Sequence, residues 1–360
     1  MPKYKILFFV TGIGWGDSVR EYSIIQELIK KKNVEIKIAC YKTSYDFFKK
    51  KFPAIKIRGF DTASPKFKFE FTRFMRKNAL LPLTWNYQIK KLKKELGDFK
   101  PDLVITDFEP LGVLYARNTN TKFIEVFGVD PKDFDEFLKQ RKHDLFTDLQ
   151  IIYLKRMYEI GNKFSQAIII GGLAKRKDFD KFRFVNLIVR DTKKVKEGKE
   201  IVVILGGSSF GIAMGKHMEK ILLKIKEKFI VFGSHKEKKI GNCHFVPVTE
   251  NALDYIKNAK GIISLAGHLT ISESLVFKKP LLVFPIPNHV EQAYNSWLLK
   301  NNKLALVKEL KKIDEKEIED SIKDFIKKIP ELKKKIRKTN IKGDGAKQAA
   351  KIIFSILKSN

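Results

Sequence analysis

The stretch from Gly261 to Asn295 reads GIISLAGHLTISESLVFKKPLLVFPIPNHVEQAYN. Its first apolar run ends in Ala266-Gly267-His268, a helical pattern starts near Thr270 with Glu273 three residues later, and a second apolar run follows from Pro280. The order of strand, glycine turn, helix and strand is typical of a βαβ unit in a parallel sheet. It predicts a helix N-terminus at the carboxyl edge of that sheet, where α/β proteins bind ligands.

A second glycine turn lies upstream in the same half of the chain. The apolar run Ile201–Leu205 leads into Gly206-Gly-Ser-Ser-Phe-Gly211 and a further helical pattern. Free N–H groups at the two helix starts would attract an anion, so the pattern predicts a pyrophosphate site that needs no metal ion. The turn is neither a GxGxxG fingerprint nor a GK[ST] P-loop, which argues against nicotinamide dehydrogenases and P-loop NTPases. A plain tight turn is the alternative.

Short β-branched runs alternate with helical patterns along the whole chain, which is typical of α/β proteins with parallel sheets. The charged stretch Arg190–Lys199 has no apolar face and is the predicted linker. We therefore expect an N-terminal domain over 1–190, a C-terminal domain over 198–342, and a last helix over 343–360 that packs back on the N-terminal domain. The predicted strands are Lys5–Val10, Val34–Ala39, Asp102–Thr106, Lys122–Phe127, Gln166–Ile170, Glu200–Leu205, Phe229–Phe232, Gly261–Leu265 and Pro280–Phe284.

Composition limits the classes of protein that this chain can be. It has 360 residues, 44% of them hydrophobic, which is enough for about two domains with cores of their own. The two cysteines, Cys40 and Cys243, have no metal or disulfide spacing, and no apolar run reaches the roughly 18 residues of a membrane span. We expect a protein of the reducing cytoplasm whose opening segment is a buried strand and not a signal peptide.

The chain is strongly basic, with a formal net charge of +31. Such an excess attracts phosphate-rich surfaces, although a general bias of the composition toward lysine explains it as well. The segment Lys66–Lys94 mixes Phe, Leu and Trp with many Lys and Arg, so we expect it to contact the inner face of an anionic membrane peripherally. An amphipathic helix pair packed on the core explains the same pattern. Nucleic acid is not the expected partner.

These motifs resemble the donor site of a GT-B glycosyltransferase family. The family includes UDP-glucuronosyltransferases, the peptidoglycan N-acetylglucosaminyltransferase MurG and, most similar here, archaeal glycosyltransferases related to them. Its pattern is a strand ending in His-Gly-Gly, a helix with Ser or Thr and then Glu, and a strand ending in Pro before an acidic residue, Gln and Asn. This chain departs from the pattern at Leu265, Ala266 and Leu269. The matching residues are Gly267, Thr270, Glu273, Pro280, Pro285, Glu291, Gln292 and Asn295.

The resemblance implies two Rossmann-like domains whose parallel sheets face each other across a cleft, with a nucleotide-sugar bound mainly by the C-terminal domain. It implies that Glu273 binds the ribose hydroxyls and that Glu291 and Gln292 bind sugar hydroxyls. A capping box made by Thr270 and Glu273, or a solvated helix start at Glu291, are the alternatives. The other residues implied at the donor are Gly206, Gly207, Ser208, Val248, Gly267, His268 and Thr270.

The resemblance extends to the turn Gly12-Ile-Gly-Trp-Gly16 and to the strand end at Asp107. Related enzymes have a His in the turn, oriented by an Asp at the end of a later strand, and this chain has Asp17 and Asp107 at those places. We expect Gly12, Gly14 and Gly16 to form the acceptor loop.

For catalysis we expect Asp17 to act as the base, Asp107 as its partner, and Glu109 as the reserve candidate. Repulsion between the two aspartates would raise the pKa of one of them toward neutrality. Ser18 and Glu21 match a capping box, which would leave Asp17 as a simple helix-start charge.

The sequence therefore predicts a transferase that moves a hexose or N-acetylhexosamine from a nucleotide-sugar, with UDP as the expected nucleotide, to a hydroxyl acceptor that is lipid-linked or small. No cofactor and no metal ion are expected. Two alternatives keep the same fold: a nucleotide-sugar hydrolase or epimerase, and a carbohydrate- or lipid-phosphate-binding protein with weak catalysis.

Overall fold

A computed structural model describes residues 4–31, 33–61, 69–141, 145–173, 176–190, 197–206, 209–234, 236–247 and 252–359. The chain divides into two compact units. The N-terminal unit comprises residues 1–62, 71–189 and 344–360, and the C-terminal unit comprises residues 63–70 and 190–343.

The N-terminal unit is built on a seven-stranded parallel sheet in the order β3-β2-β1-β4-β5-β6-β7. Its central strands are apolar on both faces because helices cover both, and residues 6–10 of β1 are fully buried. The strands are β1 (Tyr4–Val10), β2 (Val34–Cys40), β3 (Ala54–Lys56), β4 (Leu103–Asp107), β5 (Lys122–Phe127), β6 (Ala167–Ile170) and β7 (Phe182–Phe184). The helices are α1 (Trp15–Ile29), α2 (Lys42–Phe48), α3 (Phe71–Asn78), α4 (Leu81–Leu96), α5 (Pro110–Asn118), α6 (Pro131–Gln140) and α7 (Leu145–Phe164).

The C-terminal unit has a second seven-stranded sheet, in the order β10-β11-β9-β8-β12-β13-β14. All neighbouring strands are parallel except β10 and β11, which are antiparallel. The strands are β8 (Ile201–Ile204), β9 (Phe229–Phe232), β10 (Lys238–Ile240), β11 (Cys243–Val246), β12 (Gly261–Ser264), β13 (Leu281–Val283) and β14 (Leu306–Val307). The helices are α8 (Ser209–Leu222), α9 (Ala252–Asn258), α10 (His268–Val276), α11 (Val290–Asn301) and α12 (Glu315–Arg337).

The last helix, α13 (Gly345–Lys358), belongs to the N-terminal unit. It begins beside the strand-like segment after β7, where the Gly345 amide donates to the Leu187 carbonyl at 3.2 Å. A Cβ at Gly345 would lie 1.9 Å from the Asn186 carbonyl oxygen, so only glycine allows this approach.

The predicted α/β class with two Rossmann-like parallel sheets is confirmed, and all nine predicted strands are present. Five further strands were not predicted: β3, β7, β10, β11 and β14. They have two to four residues each, and most lie toward the sheet edges, where a strand needs no continuous apolar run. None of the described helices is both long and apolar enough to span a membrane.

Candidate active site

In the C-terminal unit, β8 and β12 are parallel neighbours, with Ile204 opposite Ser264 at their carboxyl ends. β9 follows β8 along the chain but lies on the other side of β8 from β12, so the strand order reverses between β8 and β12. Ligands of open α/β sheets bind at this point. The chain leaves both strands through glycine turns and enters α8 and α10.

The glycines of these turns have two different local roles. Gly206 has a φ of +71°, a left-handed conformation that favours glycine at a sharp turn. A Cβ at Gly211 would lie 2.0 Å from the Leu205 carbonyl oxygen, so this glycine lets α8 approach the end of β8. Gly267 is the N-cap of α10, with no side-chain cap and open space where a Cβ would stand. The N-cap residue of α10 therefore contributes no side-chain acceptor to this helix start, and helix starts of this kind can bind an anion.

The alternative that Thr270 and Glu273 form a capping box is wrong, because α10 begins at His268 and both residues lie inside it. Glu273 is buried, with 1% of its surface exposed. Its carboxylate accepts two hydrogen bonds from Arg190, from Nε to Oε1 at 2.7 Å and from Nη2 to Oε2 at 2.9 Å. Burial raises the pKa of Glu273, and the guanidinium of Arg190 opposes that rise.

The start of α11 is tied to the ends of β12 and β13 by side-chain amides. His289 is the N-cap of α11, and its Nδ1 accepts from the Gln292 amide at 3.4 Å. Gln292 Oε1 accepts from the Ile286 amide at 2.9 Å, and Asn295 Nδ2 donates to the Ala266 carbonyl at 3.0 Å. Burial lowers the pKa of His289 to about 4, so its ring is neutral at pH 7 and can act as this acceptor.

Other residues predicted at the donor are placed as follows. Glu291 is exposed in the first turn of α11, whereas its neighbour Gln292 is buried. His268 is the first residue of α10 and half-buried. Gly207, Ser208 and Val248 lie outside the described residues.

In the N-terminal unit, β1 and β4 are parallel neighbours, with Val10 opposite Asp107 at their carboxyl ends. The strand order reverses here as well. The turn after β1 contains Gly12, where a Cβ would lie 2.0 Å from the Tyr41 carbonyl oxygen, and Gly14, the N-cap of α1. Gly16 is not part of the turn, because it is the second residue of α1.

Arg20 connects the two aspartates that were predicted to face each other. Its Nη2 donates to Asp17 Oδ1 at 2.8 Å and to Asp107 Oδ1 at 2.5 Å, and its Nε donates to Asp107 Oδ2 at 3.0 Å. The guanidinium of Arg20 therefore lies between the two carboxylates and bonds to both of them. The pKa of Asp107 is indeed raised, to about 6, but burial is the main cause and the charge of Asp17 a smaller one, while Arg20 opposes both.

The capping alternative for Ser18 and Glu21 is also wrong. α1 begins at Trp15, so both residues lie within the helix and both are fully buried. Ser18 Oγ is 2.7 Å from Ser44 Oγ. Burial, and then the charge of Asp107, raise the pKa of Glu21 well above its usual range.

The three predicted catalytic carboxylates differ in accessibility. The Asp17 side chain is 29% exposed, the Asp107 side chain is fully buried, and Glu109 is 1% exposed. Glu109 is the N-cap of α5, where Oε1 accepts from the Leu111 amide at 3.3 Å, and burial raises its pKa to about 8. Asp17 is thus the most exposed of the three.

Sequence reasoning missed Arg20 and Arg190. The spacing of Asp17 and Arg20, three positions apart on a helix, was a usable signal for the first. No local pattern indicates the second, since Arg190 and Glu273 are far apart in the chain. Among the described residues, no group of three or more His, Cys, Asp or Glu side chains could hold a metal ion.

The chain is similar to glycosyltransferases in sequence and in structure. An uncharacterized glycosyltransferase of Methanosarcina mazei is 24% identical over 325 residues, which cover 82% of this chain and 84% of that protein. The UDP-N-acetylglucosamine--N-acetylmuramyl-(pentapeptide) pyrophosphoryl-undecaprenol N-acetylglucosamine transferase of Thermosipho melanesiensis is 25% identical over 240 residues, 64% of this chain and 66% of that protein. Medicago truncatula UGT71G1, solved in complex with UDP-glucose, superposes with a TM-score of 0.66 at 15% identity, covering 99% of this chain and 98% of that one.

The fold shared with these proteins is the GT-B fold, as the resemblance implied. The model of glycosyl transferase family 1 matches residues 4–330. The chain belongs to glycosyl transferase family 1.

Proposed function

We propose that this chain transfers a hexose or N-acetylhexosamine from a UDP-sugar to a hydroxyl acceptor, without a metal ion. The observation that carries the proposal is the pair of helix N-termini, of α8 and α10, that follow neighbouring strands at the point of order reversal in the C-terminal sheet. Aimed N–H groups can stabilise a diphosphate that would otherwise need a cation.

Polar side chains of α10 and α11 give the donor site its specificity. Glu273 accepts from the ribose hydroxyls. Glu291, on the exposed side of the α11 start, accepts from sugar hydroxyls. The side-chain Nε2 of Gln292 donates to a sugar hydroxyl, because its Oε1 already accepts from the backbone N–H of Ile286. As the bond between sugar and diphosphate breaks, UDP leaves with the electron pair and the helix N-termini stabilise the added negative charge.

Asp17 removes the proton from the acceptor hydroxyl as its oxygen attacks the anomeric carbon. Its exposure, and its place in the first turn of α1 after the β1 turn, support this role. Arg20 holds the Asp17 carboxylate in one orientation, and the buried Asp107 holds Arg20 in turn. Asp17 is preferred to Asp107 and Glu109 as the base because it is the most exposed of the three.

The acceptor is proposed to be membrane-associated, because the surface of α3 and α4 combines exposed apolar and basic side chains. Met75, Leu80, Leu83 and Tyr87 are between 51% and 78% exposed. Arg76, Lys77, Lys90 and Lys91 are exposed on the same two helices. Such a surface suits peripheral binding at the inner face of a membrane with anionic lipids.

The donor site is tested with UDP and the variant Glu273→Ala. We expect UDP to raise the melting temperature of the wild type, because a ligand that binds only the native state stabilises it. In the variant the ribose loses a charged acceptor worth about 1.5–3 kcal/mol, so calorimetric titration should give a Kd raised roughly tenfold to a hundredfold.

The melting temperature of Glu273→Ala without ligand serves as the control. If Glu273 only anchors Arg190, the variant loses stability while its affinity for UDP stays at the wild-type value. That result would remove Glu273 from the donor site.

A further inference from the structure

Arg190 and Glu273 form an ion pair that the proposed donor site does not yet explain. Arg190 begins the segment 190–343 of the C-terminal unit, and its guanidinium binds both carboxylate oxygens of Glu273 on α10. The Arg190 side chain is 17% exposed and the Glu273 side chain only 1%. The pair is therefore largely removed from water, where geometry and charge have strong effects.

Arg190 does not use every acceptor position of the Glu273 carboxylate. An ionised carboxylate has about four acceptor positions on its two oxygens, and a bidentate arginine uses two of them. One position on each oxygen remains, which suits two adjacent hydroxyls. The 2′- and 3′-hydroxyls of a ribose are such a pair.

Glu273 also depends on Arg190 for its charge. Burial favours the protonated form of the carboxyl group, and the guanidinium of Arg190 is the main opposing influence. A protonated Glu273 would carry a proton on one oxygen and accept more weakly at both. Without Arg190, burial would therefore be less opposed, and the pKa of Glu273 would rise further.

We propose that Arg190 is a positioning residue for the nucleotide: its guanidinium orients the Glu273 carboxylate, so that both oxygens accept from the cis hydroxyls of a ribonucleoside diphosphate. This inference rests on the proposed function, in which Glu273 binds the ribose. It makes the site selective for ribose over deoxyribose, because a 2′-deoxy ligand leaves one oriented acceptor unused.

The test compares the Kd of UDP with that of dUDP, by calorimetric titration at pH 6 and pH 8.5. The wild type should bind UDP about tenfold more tightly than dUDP at both pH values, the loss of one charge-assisted hydrogen bond. Arg190→Gln should reduce this preference, and more at pH 6 than at pH 8.5, because burial of Glu273 without the guanidinium favours the protonated form. Arg190→Lys keeps the charge but cannot bind bidentately, so its preference should be reduced equally at both pH values.

Two further variants separate the possible failures. Glu273→Gln should lose the preference at both pH values, and adding Arg190→Gln to it should have no further effect on the UDP to dUDP ratio. Arg337→Gln is the matched control, because Arg337 also pairs with a glutamate of the same unit, the exposed Glu197, and should leave the ratio unchanged. Melting temperatures show whether each variant folds. If Arg190→Gln does not fold, the test uses Arg190→Lys, and an unchanged UDP to dUDP preference in that variant overturns the role of Arg190.

The outcomes are distinguishable. The role of Arg190 is overturned if Arg190→Gln keeps the wild-type preference at both pH values, or binds UDP more tightly than the wild type does. Only that role fails, and the ribose assignment stands, provided that Glu273→Gln has lost the preference. If Glu273→Gln keeps the preference, or the wild type binds neither nucleotide, the ribose assignment in the proposed function fails and the role of Arg190 fails with it.

Discussion

At the residue scale, two further side chains hold the proposed base, Asp17, in place. The Asp17 side chain, 29% exposed, accepts a hydrogen bond from Arg20, and Arg20 also donates to the buried Asp107. A dyad of His and Asp orients its base by one hydrogen bond, whereas here an arginine links two carboxylates. The arrangement fixes where the accessible carboxylate of Asp17 points, and it requires Asp107 to be ionised.

Replacing Asp17 by Asn should lower turnover at least about a hundredfold, because the acceptor hydroxyl loses its base. The Kd for UDP should not change, since the base acts on the acceptor. Asp46→Asn is the matched control, because Asp46 also pairs with a cation three positions away, Lys49, at an exposed site on α2. Near-normal turnover in Asp17→Asn would end the assignment.

The pH dependence of turnover should reflect Asp107. Its pKa is raised to about 6, so it is ionised and holds Arg20 above that pH and loses its charge below it. We expect wild-type turnover to fall as the pH drops through about 6, and turnover of Asp107→Asn to be low and nearly flat over the same range.

Stability should change in the opposite direction over this range. An acid whose pKa is higher in the folded protein binds more protons in the folded state, so Asp107 contributes stability at low pH that is lost as the pH rises from about 4 to about 6. A melting temperature that fell together with turnover below pH 6 would mean unfolding and would contradict the role of Asp107.

At the scale of elements, the structure shows which side chains of α3 and α4 face the solvent. The sequence indicated its amphipathic character but not which side chains are exposed. Phe74 packs on Phe60, with ring centroids 5.5 Å apart, and Trp85 packs against the core, so these two aromatic residues are not its outermost part. Leu80, Leu83 and Tyr87 are, at 67%, 78% and 71% exposure.

The triple variant Leu80→Ala, Leu83→Ala, Tyr87→Ala should bind vesicles with anionic lipid at least about tenfold more weakly than the wild type, since each buried apolar side chain is worth roughly 1.5–3 kcal/mol. Co-sedimentation at near-physiological salt measures this. Ile212→Ala is the control, because Ile212 is 57% exposed but lies on α8 of the other unit. No binding by the wild type, or equal binding by the triple variant, would refute the membrane proposal.

The helix starts show a limit of reading caps from sequence. Two capping-box patterns, at Ser18 and at Thr270, lie inside helices that begin earlier, after the N-caps Gly14 and Gly267. A glycine N-cap gives no side-chain signal, so the local pattern favoured the later serine or threonine. In both helices the glutamate of the pattern, Glu21 or Glu273, is buried. Its burial depends on which face of the helix packs on the core, and the local sequence does not show this.

At the scale of the whole molecule, the sequence was sufficient for the two sheets because their central strands are continuous apolar runs between glycine turns. β1 and β12 are fully buried over most of their length, and such strands can be recognised without their neighbours. The partners of Asp107 and Glu273 could not be predicted as well, because pairing of distant charges depends on how the chain folds. The fold was thus predictable from the sequence, whereas the contacts that orient the proposed site were not.

The central claim, sugar transfer from a nucleotide-sugar, is tested most directly by following a radiolabelled UDP-sugar with the purified protein and anionic vesicles that carry a polyprenol-linked acceptor, in the presence of EDTA. The account predicts that label moves to the acceptor in step with the release of UDP, for at least one UDP-hexose or UDP-N-acetylhexosamine, and that Asp17→Asn abolishes the transfer. Free labelled sugar or an epimerised donor in place of labelled acceptor, or binding of UDP-sugars with no turnover, would contradict it.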